Sequence, residues 1–206
     1  MDIVNITELV EQNPETSQLV SMVEEAFAEY PALSDGLVKY IEHMDDNGMI
    51  AEDDAQDLIN LLNTVAEFSD GELEAADMIT DDQNGDVEEA IGAVERGDYL
   101  FFPGVEDDEE LGKAYIDMIG SIKDAVGDFL ERYIDIQELA DDMKRDPGNT
   151  ADDELMDDST WYAIAEEMVE MNPEAYEDFF DYETFGRDFH INNGAFFGQF
   201  GAVITF

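Results

Sequence analysis

The side chains with the widest chemical scope in this chain are its carboxylates, 55 Asp and Glu against two His and no Cys. Carboxylates can hold cations, work in pairs as general acid and base, or present negative charge as phosphates do. Without cysteine there is no disulfide, thiolate nucleophile or Cys-ligated zinc. His43 and His190 are far apart in sequence, with no HExxH spacing and no nucleophile motif beside either, so neither a zinc site nor a catalytic base is expected. The nearest approach to a calcium loop is His43-Met44-Asp45-Asp46-Asn47-Gly48. With Gly48 as its sixth residue, Asp45 and Asn47 fall correctly at three and five. His43 and Asp54 then occupy positions one and twelve, where an EF-hand needs Asp and a bidentate Glu. Gly85 fits worse, with Thr80 and Ile91 at those ends. A helix-ending turn explains the stretch better, and no metal or cofactor is expected. Carboxylate pairs are too abundant for any one to single out acid–base chemistry, and the chain reads as non-enzymatic. Arg187, among aromatics, is expected to make a structural ion pair with Asp181, Glu183 or Asp188.

The charge itself is the stronger signal. Lys and Arg number 8, for a formal charge of -47, whereas a magnitude of about 2–8 keeps a small domain soluble. Such a field repels nucleic acid and anionic membranes and attracts basic surfaces. Yet 44% of residues are hydrophobic and 11% aromatic, which fits a packed body and not a disordered acidic polymer. Asp70–Glu110 concentrates the contrast, with sixteen carboxylates and one base, Arg96, threaded with Leu73, Ile79, Val87, Ile91, Val94, Tyr99 and Phe101. Exposed helices normally interleave Lys with Glu at i,i+4, and like-charge neighbours cost a few tenths of a kcal/mol per pair. Carboxylates at i,i+3 or i,i+4 advance about 4.5–6 Å along a helix, a ladder comparable to the roughly 3.4 Å phosphate spacing of one DNA strand. Half the net charge facing one partner would match on the order of 40 Å of duplex. The acids expected to imitate phosphate are Asp45, Asp46, Glu52, Asp53, Asp54, Asp70, Glu72, Glu74, Asp77, Asp81, Asp82, Asp86, Glu88, Glu89, Asp107, Asp108, Glu109 and Glu110. Composition leaves two alternatives standing: an acidic partner of some other basic nucleic-acid-binding protein, and a halophile-adapted protein of unrelated function.

These acids need elements to carry them. Apolar residues at helical spacing predict helices from Thr16 to Ala28, across Leu33–Met44, across Leu58–Val65, a short one after Ser69 or Asp70, and across Val87–Val94. Asp98–Phe102, apolar on both faces between Gly97 and Pro103-Gly104, predicts a buried strand. Leu111–Ile122 and Val126–Ile134 predict two more helices. From Gln137 to Ser159 the pattern weakens into an expected exposed acidic insertion. Trp161–Met168 and a stretch from Ala175 return to helix, and the aromatic, glycine-rich end from Phe189 to Phe206 predicts two short strands. The expected fold is α+β and mostly helical: an acidic segment 1–30, a helical bundle 31–96, and a mixed α/β domain 97–206 with an insertion at about 123–174. The N-terminal residues lack the basic and apolar regions of a signal peptide, and no run is long enough to cross a bilayer, so a cytoplasmic protein is expected.

Two motifs add a resemblance. Gly97-Asp98-Tyr99-Leu100-Phe101-Phe102-Pro103-Gly104, followed by acids and Glu110-Leu111-Gly112-Lys113-Ala114-Tyr115-Ile116, resembles the C-terminal half of ArdA-type antirestriction proteins. So does Phe180-Asp181-Tyr182-Glu183-Thr184-Phe185-Gly186-Arg187-Asp188-Phe189, which looks like that family's terminal pattern. Residues 31–122 and about 175–206 carry the resemblance; residues 1–30 read as helical where the family has a β-containing domain. It implies a homodimeric DNA mimic of phages or mobile elements that occupies the DNA-binding groove of type I restriction–modification enzymes. It also implies a central helical domain followed by a small mixed α/β domain. Tyr99, Phe101, Tyr182, Phe185 and Arg187 are then expected at fold and interface positions.

Overall fold

The computed structural model describes residues 3–12, 14–46, 49–50, 52–145 and 156–206. The chain is α+β and predominantly helical, and its contacts divide it into two units. Unit 1 comprises residues 1–106 and 194–206, and unit 2 comprises 107–193.

Unit 1 runs α1 (Ile3–Val10), α2 (Thr16–Ala26), α3 (Pro31–His43), β1 (Asp45–Asp46), β2 (Met49–Ile50), α4 (Glu52–Ala66), α5 (Asp70–Asp82), α6 (Val87–Arg96) and β3 (Tyr99–Pro103), and closes with β4 (Phe196–Gly198) and β5 (Gly201–Thr205). Its core follows from helical spacing. Leu33, Leu37 and Ile41 on α3 and Leu58 and Leu62 on α4 are all 0% exposed. Pro31 opens α3 in its first turn, where a missing N–H is harmless. Residues 1–30 are part of this body, since Ile6, Val10, Leu19, Val23 and Phe27 join the same core. Close packing of α3 onto α5 and α6 depends on Gly36, where a Cβ would lie 2.9 Å from Thr80 Cγ2 and 3.0 Å from Val87 Cβ.

The strands β3, β5 and β4 form an antiparallel sheet in that order, with Phe101 and Phe196 both opposite Val203. Central β5 buries Ala202, Val203 and Ile204. On the edge strand β3 only Phe102 is buried, so the fully buried strand expected from its sequence is corrected to a half-covered one. Pairing with β5 also moves the expected boundary. β3 belongs with the helices before it, and the last thirteen residues return to the first unit.

Unit 2 contains α7 (Asp108–Ile119), α8 (Ile122–Val126), a 3-10 turn Gly127–Phe129, α9 (Leu130–Tyr133), α10 (Ile136–Arg145), α11 (Asp158–Met171), a 3-10 stretch Pro173–Phe179 and α12 (Tyr182–Asn193). Gly127, at φ 57, breaks the single helix expected across Val126–Ile134. The acidic insertion is corrected as well. Ile136, Leu139 and Ala140 give α10 an apolar stripe that packs with Trp161, Ala165 and Val169 of α11, so residues 137–145 are integral to this core. Residues 146–155 of that expectation lie outside the described residues. Phe189 and Ile191, expected near the C-terminal strands, sit on α12. Among the described residues no helix is long and apolar enough to cross a membrane.

Candidate functional site

Of the eighteen acids singled out by sequence, Asp45, Asp70, Asp81, Asp82, Asp86, Glu88, Glu89, Asp107, Glu109 and Glu110 are exposed. Asp54, Glu72, Glu74 and Asp108 are half-exposed. The side chains of Asp46, Glu52 and Asp53 lie outside the described residues. Several of these acids also hold the fold. Ser69 and Glu72 form a reciprocal capping box at α5, where Ser69 N donates to Glu72 Oε2 at 2.7 Å. Asp86 accepts from Glu89 N at 3.1 Å at the head of α6, and Asp107 from Glu110 N at 2.9 Å at the head of α7. A carboxylate in the first turn faces the positive end of the helix dipole, so these charges are placed where they cost least. The hydrogen bonds from Ser69 hold Glu72 below the usual carboxylate range.

Two tyrosines register how the charges gather in unit 1. Tyr40 on α3 donates its hydroxyl to Glu88 Oε1 of α6 at 3.3 Å. Burial, then Glu88, then Asp57 and Asp54 of α4, push its phenol up to about 12. Acids of two helices thus converge beside a third. Tyr30 is likewise raised, first by burial and then by Asp70, Glu74, Glu29 and Asp77. Asp57 was overlooked in the sequence, although it lies three residues beyond Asp54 on the same helix and so shares its face.

Asp77 departs from the expected surface role, being only 3% exposed. Its Oδ1 accepts from Leu33 N at 2.9 Å, at the amino end of α3, and its Oδ2 from Gln199 Nε2 at 3.3 Å. One buried carboxylate therefore joins α5, α3 and the β4–β5 turn. Desolvation raises its pKa against the opposing hydrogen bonds.

The motif residues divide between the units. In unit 1, Tyr99 and Phe101 on β3 pair with Thr205 and Val203 and pack partly buried against the core. In unit 2 the Glu110–Ile116 and Phe180–Phe189 segments meet where α7 packs on α12. A Cβ on Gly112 would stand 2.5 Å from the Tyr182 carbonyl oxygen, and one on Gly186 would run into the Asp108 carbonyl. Only glycines allow the two backbones this close. Phe185 is buried there at 5.3 Å, edge to face, from Tyr133, and Tyr182 stands 4.8 Å from Phe180. At the ends of the crossing His190 Nδ1 meets Asp108 Oδ1 at 2.9 Å. Asp188 Oδ2 takes Arg132 at 2.7 Å and the Tyr133 hydroxyl at 3.0 Å. Of the partners expected for Arg187, Asp188 is taken by Arg132, while Asp181 is lowered by hydrogen bonds and in small part by the Arg187 charge. Arg187 Nη2 donates to the Thr184 hydroxyl at 3.2 Å. Sequence gave no sign of the Asp188–Tyr133–Arg132 set, because 55 residues separate Tyr133 from Asp188.

Among the described residues no group of three or more His, Asp or Glu could hold a metal ion; Asn47 and Gly48 of the calcium-like stretch lie outside them. No family model, curated protein or solved structure matches this chain.

Proposed function

We propose that this protein is a non-enzymatic DNA mimic, an antirestriction protein that occupies the DNA-binding groove of type I restriction–modification enzymes in the cytoplasm. One observation carries the reading: unit 1 is a packed body bearing 28 carboxylates against two bases, Lys39 and Arg96. Arg96 is already engaged by Glu89 and Asp98. A target's Lys/Arg groove would find anionic partners on α4, α5 and α6 in place of phosphates, with no base edges to read and no phosphodiester to cut. Inhibition would be competitive with DNA and would weaken steeply with salt. The choice of target class rests on the resemblance carried by the two motifs, of which the Glu110–Ile116 and Phe180–Phe189 segments meet where α7 packs on α12. The same resemblance makes the acting species a homodimer.

The test is direct. Purified protein in molar excess at low salt should abolish DNA binding and cleavage by type I enzymes, and added salt should restore both. If several such enzymes bind and cut DNA unchanged, the reading is wrong. A cooperative melt in dilute buffer is expected, and unfolding below molar salt would favour a halophile instead.

A further inference from the structure

We propose that a cavity at the amino end of α3 is a receptor for a single arginine side chain. That this arginine comes from the groove of a DNA-binding partner rests on the mimic reading; the fit of cavity to guanidinium does not. The cavity measures about 280 Å³, just under the roughly 300–1,000 Å³ typical of small-molecule pockets, and suits one side chain better than a cofactor. It is a half-open cleft of mixed lining, whose apolar part comes from Pro31, Met78, Phe196 and Gly198. Three carboxylates line it, with Asp35 and Asp81 exposed and Asp77 buried. Gly198 leaves the space open, because a Cβ there would already be 3.1 Å from the Phe196 ring and 3.4 Å from Met78.

Charge and shape select the guest together. Among the described residues three acids line the cavity, and neither base of unit 1, Lys39 or Arg96, does. Asp77 is committed to Leu33 N and Gln199, which offsets the positive end of α3 and leaves Asp35 and Asp81 for a guest. Behind desolvation, Asp81 adds the smallest of the causes that raise Asp77, and an entering cation would relieve that repulsion. Arginine fits better than lysine. Its flat guanidinium is weakly hydrated, stacks on a ring such as Phe196, and offers five donors to carboxylates on different sides. Lysine would bring a compact, strongly hydrated ammonium with no flat face to lay on that ring.

The experiment titrates the full chain, with backbone amides followed by NMR, using N-acetyl-arginine amide and separately N-acetyl-lysine amide at about 150 mM salt, where the diffuse field is screened. Saturable shifts confined to Ala32, Met78, Phe196, Gly198 and Gln199 are expected, with arginine at least about fivefold tighter, roughly 1 kcal/mol. Asp35→Asn with Asp81→Asn should abolish them. Asp70→Asn with Glu74→Gln, which removes the same charge elsewhere, should not, and Phe196→Leu should weaken binding with every acid in place. Shifts that never saturate, equal response to lysine, or equal loss in both double variants would overturn the proposal. Saturable arginine binding by a protein that leaves type I enzymes untouched would sink the mimic reading and spare the receptor.

Discussion

Unit 1 and unit 2 carry 28 and 27 acids, but against two bases and six. In unit 2, Lys113 meets Glu109, Arg132 meets Asp188, Lys144 meets Asp158 and Arg145 meets Asp142. Such exposed pairs add little stability, typically about 0–1 kcal/mol, but each relieves repulsion locally. Unit 1 has only Lys39 and Arg96 to set against its acids, and Arg96 meets Glu89 and Asp98; both units place acids at helix heads. The cores differ in parallel. Unit 1 is built mainly on aliphatic stripes, whereas unit 2 sets the interlocked rings of Tyr133, Phe180 and Phe185 beside a glycine-lined helix crossing, in one core with Trp161. On the proposed reading the contrast separates two tasks that composition merges: unit 2 holds a precise crossing together, and unit 1 displays charge.

The sharpest break of this contrast is Gly186→Ala. The added methyl would meet the Asp108 carbonyl, and overpacking of a fixed backbone contact is expected to cost about 3 kcal/mol or more. Trp161 is the only tryptophan and is buried in unit 2, so its fluorescence reports that unit alone. Its transition should fall sharply or vanish while much of the far-UV helical signal still melts at the wild-type position. An unmoved Trp161 transition would remove the glycine crossing from the account. Deleting residues 137–159 should produce the same loss, because Leu139 and Ala140 leave that core with it.

Asp77 gives the next effect, in unit 1. Asp77→Ala orphans Leu33 N at the head of α3 and should cost about 1–3 kcal/mol. Asp77→Asn keeps an acceptor there and removes the buried charge. Because folding raises the pKa of this carboxyl, its contribution is fullest when protonated and falls as pH rises through the raised value. The Asn variant should therefore exceed wild type at pH 7, with the advantage fading below the carboxylate range. Glu72, Asp157, Glu174 and Asp181 are depressed by hydrogen bonds and work oppositely: their stabilisation is present above the ordinary range and lost as pH falls. Denaturant melts from pH 3 to 7 on the two proteins cancel those common terms. An Asn variant weaker than wild type at pH 7 would mean that charge–dipole attraction outweighs desolvation at this site.

Most helices of unit 1 were legible because apolar stripes at i,i+3 and i,i+4 survive any number of acids on the outer face. Ser69 and Gly97 announced their caps by residue type, as a hydroxyl three before Glu72 and a glycine free to take φ 71. The errors have physical causes. In α10, Ile136, Leu139 and Ala140 carry a narrow stripe amid Glu138, Asp141 and Asp142, and charge density hid the periodicity. β3 looked buried because every side chain is apolar, but burial depends on sheet position, and the edge strand is covered on part of its surface. Asp77 could not be told from its neighbours Glu74 and Asp81, since its role depends on the amino end of a helix 44 residues away.

The smallest effect tests the division of tasks most closely, because stability and binding should move in opposite directions. Asp54→Asn with Asp57→Asn removes two of the charges gathered near Tyr40. Relief of like-charge repulsion should stabilise unit 1 by a few tenths of a kcal/mol, and only at low ionic strength, where the Debye length of about 30 Å at 0.01 M leaves the field unscreened. Far-UV melts at 0.01 M and 0.5 M salt should register a gain at the first and almost none at the second. The Trp161 transition of unit 2 should be the same in both proteins. If these charges are retained for a basic groove, the same variant should inhibit its target less well, with a shallower dependence on salt as two contacts are lost. A variant that is no more stable at low salt would mean that solvent and the capping bonds already absorb the repulsion. One that is more stable and inhibits equally well would place the working surface away from α4, on the acids of α5 and α6.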